Sequence, residues 1–273
     1  MFSGTTFTNY SGNVLGGHQK IDRSAYSILN KTVDISLFPS IKNIIQFEGR
    51  NGPDGIKAKS PGKDEPWHYY DPYDDHDHNI IDIMEHHYEE LVEALREGNR
   101  EKSAFEAAWL AHAVVDGLTP AHHYPYEEEL ERLRGGQGLE SRDSVIKKLL
   151  IPGDNLADAI KKNWEMWGSK GLLSTHALFE WGVALLIAPL HLGRKPLSKH
   201  TCKQAAENGV ATTFKLAARE IADQDIFHAY YRYGWNQKMV KVVKGYLAPK
   251  IVESLAIIWY LALDEAKSGE SRF

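Results

Sequence analysis

Two stretches of this sequence combine histidine and carboxylate at a spacing suited to a metal ion. Within 109–122, His112 and Asp116 stand four residues apart, so on a helix they lie one above the other on one face. The helical pattern stops at Gly117 with Pro120 just beyond, and that turn can return His122 towards the same face. His176 and Glu180 repeat the four-residue spacing in a second apolar segment. Imidazole and carboxylate are ligands zinc accepts, and the single cysteine, Cys202, offers no thiolate cluster. A charged Asp on an apolar helix also needs a partner to offset its desolvation. The first pair alone serves equally as a hydrogen bond between two core polar groups, and for the second alone a capped or salt-bridged core pair is the commoner arrangement. Two such pairs on separate apolar helices, with further His and Asp in loops, favour ligands converging inside a helical bundle.

The elements that must position these residues read as helices. Apolar residues recur at helical spacing in 21–29, 80–95, 155–166, 174–187, 202–222 and 237–266, while 103–115 is apolar on most sides and reads as a central helix. No run alternates as a strand would. The Pro- and Gly-bearing stretch 51–72 reads as a long loop, a common place for function, and 135–143 as another. The expectation is an all-α, single-domain multi-helix bundle over 1–273, with 1–17 as an N-terminal arm.

Composition narrows the function classes. The chain is 42% hydrophobic and 25% charged, with net charge -5, so it lacks the basic footprint of a duplex nucleic-acid binder. Single strands stay open as substrates. The lone cysteine excludes an intrachain disulfide and reads as a small buried hydrophobe. Residues 1–17 lack the basic start and apolar core of a signal peptide, and the longest apolar run, 181–192, contains Pro189 and is too short for a bilayer. No transmembrane segment is expected. The chain reads as soluble and cytoplasmic as numbered, or secreted if a leader was removed before residue 1.

The ordered set His112-x3-Asp116-x5-His122 and His176-x3-Glu180 resembles the signature of the zinc-dependent phospholipase C/P1 nuclease family. Other segments resemble that family in the same order: 18–25 its first helix, opening on a zinc-binding His; 52–54 its acidic loop; 68–72 its His-aromatic-Tyr-Asp-Pro segment; and the C-terminal helix its last. The resemblance covers roughly 18–264. It implies Asp54, His68, His112 and Asp116 around one zinc and His122, His176 and Glu180 around a second. His18 with a bridging Asp116 would hold a third, hence two to three Zn2+ per chain, with other divalent ions chemically admissible. Glu at 180 is similar to the phospholipase branch.

The chain departs from that pattern in two places. Family members complete the third site with the amino group and carbonyl of an N-terminal Trp, whereas this chain begins with Met1. Gly55 and Glu65 stand where choline-preferring members have aromatic residues, with Trp67 or Tyr69 as alternative surface. The activity implied is phosphodiester hydrolysis by a metal-activated hydroxide, with a phospholipid headgroup as substrate and transient contact with a membrane surface. Asp54 would position the water or accept its proton. The alternatives are a single-strand nuclease or nucleotidase of the same fold, and a metal-binding module without turnover. The segment 123–172 reads as an insertion or lid, its acidic run 127–131 as a solvated helix start. His76 and His78 stand in a polar cluster with Asp74, Asp75 and Asp77 that reads as an exposed loop and helix cap, with a metal site of its own as the alternative. His86 and His87 are adjacent on a helix and cannot share a face, and His191, His200 and His228 carry no partner pattern. His123 reads as pointing elsewhere, with an outer-shell or substitute-ligand role as the alternative.

Overall fold

The computed structural model describes residues 1–4 and 16–270; of the expected N-terminal arm, 5–15 lie outside the described residues. The chain is 72% helix, and no strand occurs among the described residues. The helices that position the site are α1 (Gly17–Thr32), α2 (Pro53–Lys59), α3 (Asn79–Arg96), α4 (Arg100–Gly117), α5 (Tyr126–Leu133), α6 (Leu156–Trp167), α7 (Leu172–Ile187), α8 (Lys199–Ala222), α9 (Ile226–Tyr233) and α10 (Ala248–Glu270).

Helix α4 is the axis. The Asn99 side chain caps it by accepting from the Lys102 N–H at 3.1 Å. Its alanines at 104, 107, 108 and 111 are buried and let neighbours approach closely. Helix α3 folds back along α4 through Gly98, whose φ of 68° suits a residue without Cβ. Helix α10 packs against α1, α3, α4 and α8. Its Trp259 is fully buried and donates its indole N–H to the Ala107 carbonyl at 3.2 Å. Side chains of this size each contribute roughly 1.5–3 kcal/mol when removed from water. At the end of α4, a Cβ on Gly117 would lie 2.5 Å from the Phe214 ring, so this glycine permits α8 to cross there.

A turn of π-helix, Val243–Leu247, joins Gln237–Val242 to α10. The combined helix Gln237–Gly269 is long and apolar enough to cross a membrane, with mean hydropathy 1.4, which 181–192 is not. Of its most apolar window, 67% is buried inside the structure, as expected of a core helix.

The sequence reading needs one correction. The stretch 51–72 contains α2, which opens at Pro53 in the first-turn position where its missing N–H costs nothing. The segment 123–172 holds α5 and α6 and has a small core of its own, from Tyr126, Leu130, Leu133, Ile151 and Met166. Beyond it, Leu156, Ile160 and Trp164 on α6 and Leu178, Trp181 and Leu185 on α7 are exposed.

Candidate metal centre

The helical spacing translates directly into geometry. Asp116 lies one turn beyond His112 on α4, with His112 Nε2 3.2 Å from Asp116 Oδ2. The first turn of α1 brings His18 Nε2 to 3.1 Å from Asp116 Oδ1. The segment before α3 brings His68 Nδ1 to 2.7 Å from Asp116 Oδ2. Asp116 is thus the hub, and it is buried. Burial opposes its ionisation, but His122, the amino terminus, His112 and His18 outweigh that and hold its carboxyl well below the usual range. Asp54, at the start of α2, places Oδ1 3.8 Å from His112 Nε2, with its side chain 34% exposed. Its position depends on Gly55, because a Cβ there would fall 2.1 Å from the Arg50 carbonyl oxygen. An aromatic side chain has no room at this point.

The other end of the centre is formed by a 3-10 turn, Pro120–His123, and α7. His122 Nδ1 donates to the His68 carbonyl oxygen at 2.6 Å. His122 Nε2 lies 2.7 Å from Glu180 Oε1, and His176 Nε2 lies 3.1 Å from the same oxygen. Burial lowers the pKa of His122. Glu180 is held well below the usual carboxylate range: burial opposes, and the amino terminus, His176 and His122 prevail. Burial, with the nearby Lys57 charge, pushes His68 down to about 3. His68 and His122 are thus held in the neutral form a divalent cation requires of its ligands, whereas for His112 burial is outweighed by Asp116 and Glu48, which raise its pKa well above the usual imidazole range.

Ligand atoms of Asp54, His68 and His112 approach within 4.8 Å of one another, as do those of His122, His176 and Glu180. All eight residues proposed from the sequence therefore gather in one centre. The amino nitrogen of Met1 enters it too, against Asp116, 3.2 Å from Glu180 Oε1 and 3.5 Å from His122 Nε2. Burial opposes the charge on this amine, yet Asp116 and Glu180 raise its pKa to about 10.

Three features were missed in sequence. Glu48, fully buried ahead of α2, sets Oε2 3.3 Å from His112 Nδ1. Asp22, one turn beyond His18, is fully buried with neither oxygen hydrogen-bonded among the described residues. Burial, then the Glu48 charge, pushes its carboxyl well above the usual range. His87 pairs with Glu106 at 2.7 Å between α3 and α4. His123 points away, donating Nε2–H to the Gly117 carbonyl at 2.8 Å, and burial takes it down to about 4. His76, His78, His86, His191, His200 and His228 are exposed.

A cleft of about 220 Å³ opens beside His176, walled by Tyr124, Tyr126, Phe227 and Tyr231 with Glu129, Arg132 and Lys170 at its polar edge. Tyr69 stacks on Tyr126 with ring centroids 5.2 Å apart, tying the 123–172 segment to the centre.

No family model, curated protein or solved structure matches the chain.

Proposed function

We propose that this chain is a zinc-dependent phosphodiester hydrolase of phospholipase C type. The observation that carries the reading is His122. Its Nδ1–H is committed to a backbone carbonyl, and burial keeps the ring neutral, so its Nε2 lone pair faces the ionised Glu180 at 2.7 Å. Two acceptors at that separation need a cation beside them; the Met1 ammonium lies 3.2 Å from Glu180 Oε1 and 3.5 Å from His122 Nε2, and with His176 the same atoms make a donor set that a divalent ion fits. The buried His68 Nε2 and His112 Nε2, without hydrogen-bond partners among the described residues, also fit a cation-binding centre.

Bound zinc would supply a water ionised near neutral pH and positive charge for the phosphoryl oxygens. The chain's own residues supply the rest. Asp54 is the most exposed carboxylate of the centre and is ionised, so an oxygen of it accepts a proton from the attacking water or orients it. Asp116 holds three imidazoles in register. The aromatic cleft beside His176 receives one ester arm and excludes water from it. Exposed Leu156, Ile160, Trp164 and Trp181 favour a substrate presented at a lipid surface over a nucleotide in solution.

The test is turnover by the zinc-loaded chain. Phosphatidylcholine vesicles and a single-stranded oligodeoxynucleotide are offered separately, with His176→Ala as control. Release of a phosphorylated headgroup, lost in the variant, is expected. Cleavage of the oligonucleotide alone would move the assignment to a nuclease, and turnover of neither would leave a binding module.

A further inference from the structure

We propose that Glu48 is a positioning residue for two ligands at once: its buried carboxylate takes the Nδ1–H of both His18 and His112, keeping both Nε2 atoms turned to the metal side. This rests on the metal reading above and adds the group that enforces it.

The geometry comes from ring orientation. His18 and His112 stack with centroids 4.1 Å apart and planes inclined by 6°. Both present Nε2 to Asp116, at 3.1 and 3.2 Å, so both Nδ1 atoms project from the opposite edge. Glu48 lies on that edge. Its Oε2 is 3.3 Å from His112 Nδ1, and one ligand atom each of His18, Glu48 and His112 approach within 4.8 Å of one another. His18 Nδ1 is buried without a hydrogen bond among the described residues; Glu48 is the buried carboxylate that lies within 4.8 Å of both rings through one atom each, while Asp22 stands one turn along α1. Glu48 itself is fixed: Ser3 Oγ donates to Oε2 at 3.3 Å and the Gly49 N–H at 3.4 Å.

The chemistry selects a carboxylate. If Nε2 of each ring ligates a metal, each Nδ1 carries a proton and needs an acceptor; an ionised carboxylate is acceptor-only at both oxygens. Outer-shell carboxylates of this kind fix the tautomer of ligating imidazoles and raise their basicity. A carboxamide of the same shape offers one acceptor and one donor, so it satisfies one ring and forces the other into the Nε2–H tautomer.

The experiment uses the full chain, its Glu48→Gln variant and its Glu48→Asp variant. Imidazole nitrogen NMR reads the tautomers, and zinc titration against a competing chelator reads affinity. In the parent chain His18 and His112 are expected as Nδ1–H when zinc-loaded. Glu48→Gln is expected to convert one ring to Nε2–H and weaken zinc binding about 10–100-fold. It should keep the full zinc count at saturation, while Glu48→Asp restores the tautomers at least in part. Unchanged tautomers and affinity in a folded Glu48→Gln chain would overturn the proposal. So would loss of a whole zinc at saturation, which would make Glu48 a direct ligand. A parent chain that binds no zinc sinks the metal reading alone. The tautomers of the zinc-free parent and Glu48→Gln chains would then decide whether Glu48 holds both rings.

Discussion

At one end of the centre Glu180 sits between His122 and His176 beside an aromatic cleft; at the other, Glu48 sits behind His18 and His112 with no exposed surface. Both ends set a carboxylate against two imidazoles, but the atoms facing it differ. At Glu180 the rings present Nε2, and His122 has its Nδ1 anchored on a carbonyl. At Glu48, His112 presents Nδ1 and keeps Nε2 for the Asp116 side. Under the proposed reading, the same pair of residue types binds metal at the open end and orients ligands at the sealed end. What separates the two roles is which ring nitrogen is already committed.

The largest expected effect comes from breaking the open end. His176→Ala removes a donor that Glu180 cannot replace, so the chain should lose one bound zinc and its activity should fall by at least about 100-fold, beyond the cost usual for an outer-shell partner. Metal analysis and turnover measured on the same sample check this. Equal losses from His176→Ala and Glu48→Gln would erase the distinction between the two ends.

Acid probes the same contrast. In the chelated protein, His68 has its pKa lowered from 6.5 to about 3. The unfolded chain therefore binds the extra proton throughout that window, and stability rises with pH across it. Urea unfolding between pH 3 and about 6.5 should show this slope, and His68→Gln should flatten it. A slope unchanged by the substitution would mean that His68 does not titrate in that way.

At the sealed end, Asp22→Asn replaces a carboxyl that burial already drives towards its neutral form. A raised folded pKa stabilises below the unfolded value and loses that contribution as pH rises. The variant should therefore be the more stable chain at pH 8, and the gain should vanish below about pH 4. Thermal unfolding of the zinc-free chains at both pH values measures it. A less stable Asp22→Asn at pH 8 would show that Asp22 is needed as an anion.

The four-residue pairs were legible because a helix converts spacing into facing side chains, and both helices are long and apolar enough to identify by period. The all-α architecture was legible for the same reason. Glu48 was not: it precedes a short 3-10 turn, Gly49–Asn51, where no period applies, and a buried acid has the same letter as a solvated one. Helix α2 was hidden by its own Pro and Gly, residues that here start a helix and allow a close backbone approach. Helix α9 is only two turns long, too short for its period to stand out. His87 and Glu106 lie on different helices, so no local spacing links them.

The smallest effects should come from histidines outside both ends. His76→Ala and His78→Ala alter exposed side chains, and zinc count and turnover should match the parent chain within error. A loss in either would place a further ligand in the loop before α3.

The most direct test of the central claim is the metal content of the full chain after expression with ample zinc and removal of loosely held ions. The two donor sets at Asp54/His68/His112 and His122/His176/Glu180 predict about two or more zinc ions per chain, reduced by one in His176→Ala. Less than about one zinc per folded chain, unchanged in that variant, would contradict the account.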